Sequence, residues 1–175
     1  MPEFLVIAVA VFGVWLFATA AVHKLRAPGW YAGLLARYLD MSRFSRPLVL
    51  LIALSEAGCA VLLVVPATRT VGLLLAAALL LAYALLMSLQ LWRGRLDMNC
   101  GCAGPASDTT ISAGLVYRNL ACATVAAMAA LLPLQATTWS VPVVLISGLV
   151  GIFMVLVYLA CEQLIANAQR FAGAS

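Results

Sequence analysis

Cys100 and Cys102 stand one residue apart in the polar, glycine-containing stretch Asp97-Met98-Asn99-Cys100-Gly101-Cys102-Ala103-Gly104-Pro105. Thiols so placed can bind a soft metal ion, cycle between dithiol and disulfide, or do neither. A closed tetrahedral zinc site needs four Cys or His ligands, usually as two pairs. His23 is the single histidine and there is no second close cysteine pair, so no metal site is assigned. A disulfide across one intervening residue closes a small ring and demands a sharp backbone bend, which Gly101 permits because it lacks a Cβ. Such a bond is readily reduced and oxidises other thiols. Arg93 and Arg95 nearby favour a thiolate. Cys100 and Cys102 are therefore the candidate catalytic pair.

Three further cysteines, Cys59, Cys122 and Cys161, fall in apolar stretches. Each alone reads first as a small packing residue, and Cys122, Cys161 and Cys59 are secondary redox candidates. Glu56 sits in the middle of an apolar run, where an ionisable group is costly unless paired or facing a cavity. Arg118 and Asn119 lie about one turn into another run, with Cys122 one turn further. Helix rise puts Glu56 only about 6 Å deeper than Arg118, which predicts a Glu56–Arg118 contact, direct or bridged by water. That pair is either a structural lock or part of a polar pocket for a quinone or a proton relay. His23 and Lys24 end the first run on the same side and complete the pocket candidates, with Lys24 read as snorkelling to the interface.

The elements that must position these groups follow from composition. Hydrophobic residues make up 66% of the 175-residue chain and charged residues only 9%, against roughly 25% charged in soluble domains. Lipid must cover most of such a chain. Five stretches reach the roughly 20 apolar residues a span needs: Phe4–Val22, Pro47–Val65, Val71–Trp92, Ala113–Leu134 and Val141–Ala160. The first has Glu3 and no basic n-region, so it reads as a retained span rather than a signal peptide. Short turns make neighbours antiparallel. The expected fold is an all-α integral membrane protein, a single transmembrane domain over residues 1–175. It is an antiparallel helical bundle with a four-helix core plus a fifth C-terminal span. Between spans 1 and 2, residues Trp30, Tyr31, Leu34, Leu35, Tyr38 and Leu39 repeat at helical spacing. They predict an amphipathic helix in the interface, anchored by Trp30, Tyr31 and Tyr38.

The net charge of +4 marks topology rather than nucleic-acid binding, for which there is no motif. With the N-terminus outside, every Lys and Arg except Arg69 falls on or near the cytoplasmic side. The positive-inside rule then places the cysteine turn inside, although stable disulfides are expected outside. The expected location is the bacterial inner (cell) membrane, multi-pass.

Several segments in order resemble the MauE family of methylamine-utilisation proteins, within the DoxX-like membrane group. They are Ala21-Val22-His23-Lys24-Leu25, the Tyr38 region followed by Pro47, Glu56-Ala57-Gly58, Arg95 through Cys100-Gly101-Cys102-Ala103-Gly104, and Tyr117-Arg118-Asn119-Leu120. The resemblance covers most of residues 1–134. Where the family usually has an aromatic residue after the second cysteine, this chain has Ala103. The resemblance implies a role beside a thioredoxin-fold partner in maturing the disulfide-rich small subunit of methylamine dehydrogenase, an exported substrate protein. It implies a four-helix core and suggests a quinone as the one candidate cofactor, with none certain. The leading function is a membrane thiol–disulfide oxidoreductase component using Cys100 and Cys102. A soft-metal carrier or permease using the thiolate pair, and a non-catalytic membrane assembly factor, remain open beside it.

The charge count makes a direct prediction. After reduction, Cys100 in intact cells should resist a membrane-impermeant thiol reagent and become labelled in inverted membrane vesicles. Labelling in intact cells would reverse the orientation.

Overall fold

The structure, a computed structural model, describes residues 2–40, 45–95, 98–101, 104, 109–132 and 141–173. The helices are α1 (Pro2–Arg26), α2 (Pro28–Leu39), α3 (Ser45–Val64), α4 (Arg69–Trp92), α5 (Ala113–Leu131) and α6 (Val141–Gly173). A 3₁₀ turn, Pro66–Thr68, joins α3 to α4. Among the described residues, five helices (all but α2) are long and apolar enough to cross a membrane.

The helix ends depart from the hydropathy boundaries for local reasons. α1 continues through His23 to Arg26, and Lys24 and Arg26 place positive charge at the negative C-terminal end of the helix dipole. α5 stops at Leu131 because Leu132, the residue before Pro133, takes the extended conformation that proline imposes on its predecessor. α6 runs past the expected end at Ala160 to Gly173. Hydropathy stops at Cys161-Glu162-Gln163, but the polar residues there are carried on the same continuous helix.

The core is formed by α1, α3, α4 and α5. α4 packs along α5, α1 along α3, and α3 against α4. Phe17, Cys59, Leu63, Leu73, Leu80 and the alanines Ala76, Ala123 and Ala126 form its centre. Small side chains let helices approach closely where lipid supplies no hydrophobic drive for association. Leu51, Leu54, Val61, Leu74 and Leu85 are exposed on α3 and α4 and face the lipid. α6 is the peripheral span: 11% of its apolar window is buried, against 33–39% for the other four. It leans on α1 and barely touches α5.

α2 is the expected amphipathic helix between spans 1 and 2, and what the structure corrects is how its tyrosines are used. It forms as a helix, opened by Pro28 and closed by Asp40 in the left-handed conformation (φ 53°). Tyr31 and Tyr38, however, are buried at 5% and 7% exposure. They turn into the protein rather than anchoring the helix in the headgroups, because the cysteine turn offers their hydroxyls backbone acceptors.

Close approach explains how α6 docks. A β-carbon at Gly151 would lie 2.7 Å from Val11 Cγ1 and 3.1 Å from the Ala8 carbonyl oxygen, whereas one at Gly148 would meet nothing within 4 Å. Gly151→Leu should therefore destabilise the protein by about 1–3 kcal/mol, the scale of overpacking. Gly148→Leu should be nearly neutral. Thermal unfolding of both variants in detergent checks the contrast.

Candidate functional site: a cavity beneath the cysteine turn

The segment bearing Cys100 is folded back on itself and held from three sides. Asn99 pairs with Thr110 in an antiparallel bridge. The Cys100 amide donates to the Thr109 carbonyl (3.1 Å) and the Ile111 amide to the Met98 carbonyl (2.9 Å). Met98 and Ile111 are buried together with Tyr38, Met87 and Leu115. From α2, the Tyr31 hydroxyl donates to the Gly101 carbonyl and the Tyr38 hydroxyl to the Asn99 carbonyl, both at 3.1 Å. From α6, the Gln169 amide brackets Thr110, donating to its carbonyl (2.8 Å) and accepting from its amide (3.2 Å). Gln90 on α4, fully buried, donates to the Tyr38 carbonyl at 3.0 Å and ties α2 to the bundle.

Gly101 is required by geometry. Its φ is +73°, and a β-carbon there would come within 2.7 Å of Leu34 Cδ2. Burial raises the Tyr31 pKa to about 12, with the Glu56 carboxylate adding to the rise. Burial likewise raises the Tyr38 pKa, against a smaller lowering by Arg37. Both hydroxyls remain donors through neutral and moderately alkaline pH.

Cys100 is disulfide-bonded; Cys102 lies outside the described residues. Cys100 Sγ is 3.7 Å from Met87 Sδ. An oxidised Sγ carries no hydrogen, so this is a contact between two polarisable sulfurs rather than a hydrogen bond.

Below the turn is a cavity of about 290 Å³, whose lining includes Cys100, Gly101, His23, Lys24, Tyr31, Glu56, Tyr83 and Asn119. At its centre Glu56, with 0% exposure, accepts from Lys24 Nζ at 2.7 Å and from the Tyr83 hydroxyl, both on Oε1. Lys24 Nζ lies 5.4 and 5.6 Å from the Tyr31 and Tyr83 ring centroids, within cation–π range. Glu56 Oε2 and Asn119 Nδ2 are buried without a hydrogen-bond partner. His23 reaches the turn from α1: a β-carbon at Gly104 would lie 3.0 Å from its Nδ1.

Three expectations are corrected. The Glu56–Arg118 contact does not form; Glu56 takes Lys24, and Arg118 pairs loosely with Glu162 (Nη1 to Oε1, 3.7 Å) while stacking over Tyr158 at 4.4 Å. Helix rise compared their depths correctly but carried no information on which way each side chain turns about its helix. Lys24 does not snorkel, since its side chain is 12% exposed and spent on Glu56. Arg95 donates to Asp40 (3.2 Å) and to the Arg37 carbonyl, and Arg93 faces Asp40 at 3.8 Å. These guanidiniums are engaged with the end of α2 rather than reserved for a thiolate. The other cysteines do not line the cavity. Cys59 is fully buried and its thiol donates to the Gly72 carbonyl (3.4 Å) between α3 and α4. Cys122 and Cys161 line a second cavity together with Arg118. All three are free thiols. Among the described residues no group of three or more His, Cys, Asp or Glu converges in a way that could hold a metal ion.

Sequence reasoning missed Tyr83, Met87, Gln90, Glu162 and Gln169. Tyr83 and Gln90 had a signal, being polar groups inside an apolar run. Glu162 and Gln169 are spaced i, i+7, which puts them on one helix face.

The family description "Methylamine utilisation protein MauE" matches residues 1–132. The chain belongs to the MauE family. Its relatives of that name include the protein of Methylophilus methylotrophus, 30% identical over 158 residues, covering 89% of this chain and 83% of the relative. Another, from Paracoccus denitrificans, is 32% identical over 163 residues, covering 90% and 85%. A third, from Methylorubrum extorquens, is 30% identical over 169 residues, covering 95% and 90%. No solved structure matches the chain. The MauE match includes α1 to α5 and the cysteine turn but ends before α6, so Tyr158, Glu162 and Gln169 lie beyond it. With five helices able to span, this MauE family member is a multi-pass membrane protein.

The Lys24–Glu56 pair yields a signed prediction. Lys24→Met leaves a buried carboxylate without its cation and should cost about 3–5 kcal/mol. Lys24→Met combined with Glu56→Gln should recover most of that loss. Denaturation of the three proteins in detergent measures it; equal stability of single and double variants would remove the pair from its central place.

Proposed function

We propose that this chain is a membrane thiol–disulfide oxidoreductase component in which Cys100 and Cys102 form the redox pair. Its partner is a thioredoxin-fold protein, and the pathway is disulfide formation or maturation of exported proteins. In the family this points to the small subunit of methylamine dehydrogenase. The observation that carries the reading is the setting of Cys100: a disulfide sulfur at the mouth of a cavity, on a turn pinned by Tyr31 and Tyr38, above a buried carboxylate with one uncommitted oxygen.

The exchange balances as follows. A partner thiolate attacks one sulfur of the Cys100–Cys102 disulfide, a mixed disulfide forms, and the other sulfur leaves as a thiolate that takes up a proton. The partner's second thiol then loses its proton and attacks the mixed disulfide. This releases an oxidised partner and a dithiol at Cys100 and Cys102. Two electrons and two protons have moved to this chain. Glu56, hydrogen-bonded through Oε1 only, keeps Oε2 without a hydrogen-bond partner, and Lys24 and Tyr83 hold the carboxyl in place. Run in reverse, the Cys100–Cys102 dithiol reduces a disulfide of the partner and is itself returned to the disulfide.

A quinone ring suits the cavity's polar groups. Asn119 Nδ2 is an uncommitted donor for a carbonyl oxygen and Glu56 Oε2 an uncommitted acceptor for a hydroxyl. Bound there, a quinone would supply a two-electron acceptor for the dithiol.

Trapping tests the reading. Cys102→Ala should accumulate a mixed disulfide between Cys100 and a thioredoxin-fold protein, seen as a reducible higher-mass band and identified by mass spectrometry. If neither Cys100→Ala nor Cys102→Ala traps a partner and both support full maturation in cells, the redox role is wrong and the assembly-factor reading takes its place.

A further inference from the structure

The second cavity, about 630 Å³, lies between α1, α5 and α6 and is not used by the proposed exchange. Its walls are apolar: Val9 and Phe12 from α1, Val125 from α5, Phe153 and Val157 from α6. It lies where α6 rests on α1 and barely touches α5, and Leu63 of α3 and Leu73 and Ala76 of α4 also line it. Among the described residues, Arg118 is the one charged residue in its lining. The Arg118 side chain is 6% exposed. Its Nε, Nη1 and Nη2 are all buried without a hydrogen-bond partner. The nearest carboxylate, Glu162, stands 3.7 Å away and lines the other cavity, and Tyr158 lines both. The Arg118–Glu162 pair thus forms part of the wall between the two cavities, with Arg118 lining the apolar slot and Glu162 the polar one.

A buried guanidinium with every N–H unsatisfied is expensive unless an acceptor arrives. An apolar slot in a membrane does not stay empty when acyl chains surround it. We propose that this slot binds an amphipathic anion, an acyl chain carrying a phosphate or carboxylate whose oxygens accept from Arg118. Arginine's planar fork matches both oxyanions. Arg118 lies about one turn from the start of α5, at the basic end of the bundle, where basic pockets between spanning helices bind anionic lipid headgroups.

The purified full chain in detergent tests this by native mass spectrometry with phosphatidylglycerol, phosphatidylcholine, oleate or inorganic phosphate added separately. The wild type should retain phosphatidylglycerol or oleate, the retained one naming the source of the anion, and should not retain phosphatidylcholine or phosphate to the same degree. Arg118→Gln should weaken retention by about tenfold or more, the loss of a charge-assisted pair. Glu162→Gln removes the competing carboxylate and should strengthen it, a gain that a purely structural Arg118–Glu162 pair does not predict. Val157→Trp should fill the slot and abolish retention with Arg118 intact. The Arg118→Gln/Glu162→Gln double variant keeps the wall neutral should the single variant misfold, and it should bind as weakly as Arg118→Gln. Equal binding by wild type and the double variant, equal retention of phosphatidylcholine, or phosphate binding without an acyl chain would each overturn the proposal.

Discussion

Glu56 is a carboxyl group with no solvent access, set in the middle of a membrane span. Water cannot stabilise it there, so protein groups must, and the arrangement of this bundle can be followed outward from that requirement. Lys24 meets it from the last turn of α1 and Tyr83 from the middle of α4. Three helices are thereby joined at one oxygen atom. Attraction between the charges offsets the loss of hydration only when geometry is good and remaining hydrogen-bond capacity is met. Oε1 satisfies that condition with two partners, while Oε2 is buried without one, on a residue that lines a cavity. The polar centre is therefore committed on one side and open on the other.

The cysteine turn is built on top of this centre. α2 lies against α3 and closes the cavity roof, and its two buried tyrosines hold the carbonyls of Asn99 and Gly101. The far end of α6 holds Thr110 through Gln169. The turn is thus supported by side chains from rigid helices, the arrangement that fixes a group most accurately. Tyr31 connects the two levels: its ring lies near Lys24 and its hydroxyl holds the turn. A change at the ion pair and a change at the turn therefore share one side chain.

Two cavities share a wall at Tyr158. One is polar at its centre and contains Cys100; the other is apolar with Arg118 in its lining. Their separation assigns the four described cysteines to different surroundings: Cys100 to the polar cavity, Cys122 and Cys161 to the apolar slot, Cys59 to the α3–α4 seam.

Much of this was legible in the residues alone. Apolar run length determined five spans, because a bilayer's thickness sets the length of any helix that crosses it. The Cys100-Gly101-Cys102 turn was legible from residue type, as was the need for a partner at Glu56, since a charge in lipid must be compensated wherever it points. Which partner it takes was not legible. Periodicity ranks depth along a helix but leaves open the rotation of each helix about its axis, and that rotation is settled by packing between α1, α3 and α4. So Lys24 rather than Arg118 meets Glu56, and Tyr31 and Tyr38 turn inward to carbonyls that no local pattern could have announced. The amphipathic spacing of α2 correctly indicated a helix with an apolar stripe. Only the tertiary structure decided that the stripe covers protein instead of lipid, because the acceptors it needs lie about sixty to seventy residues away in the chain.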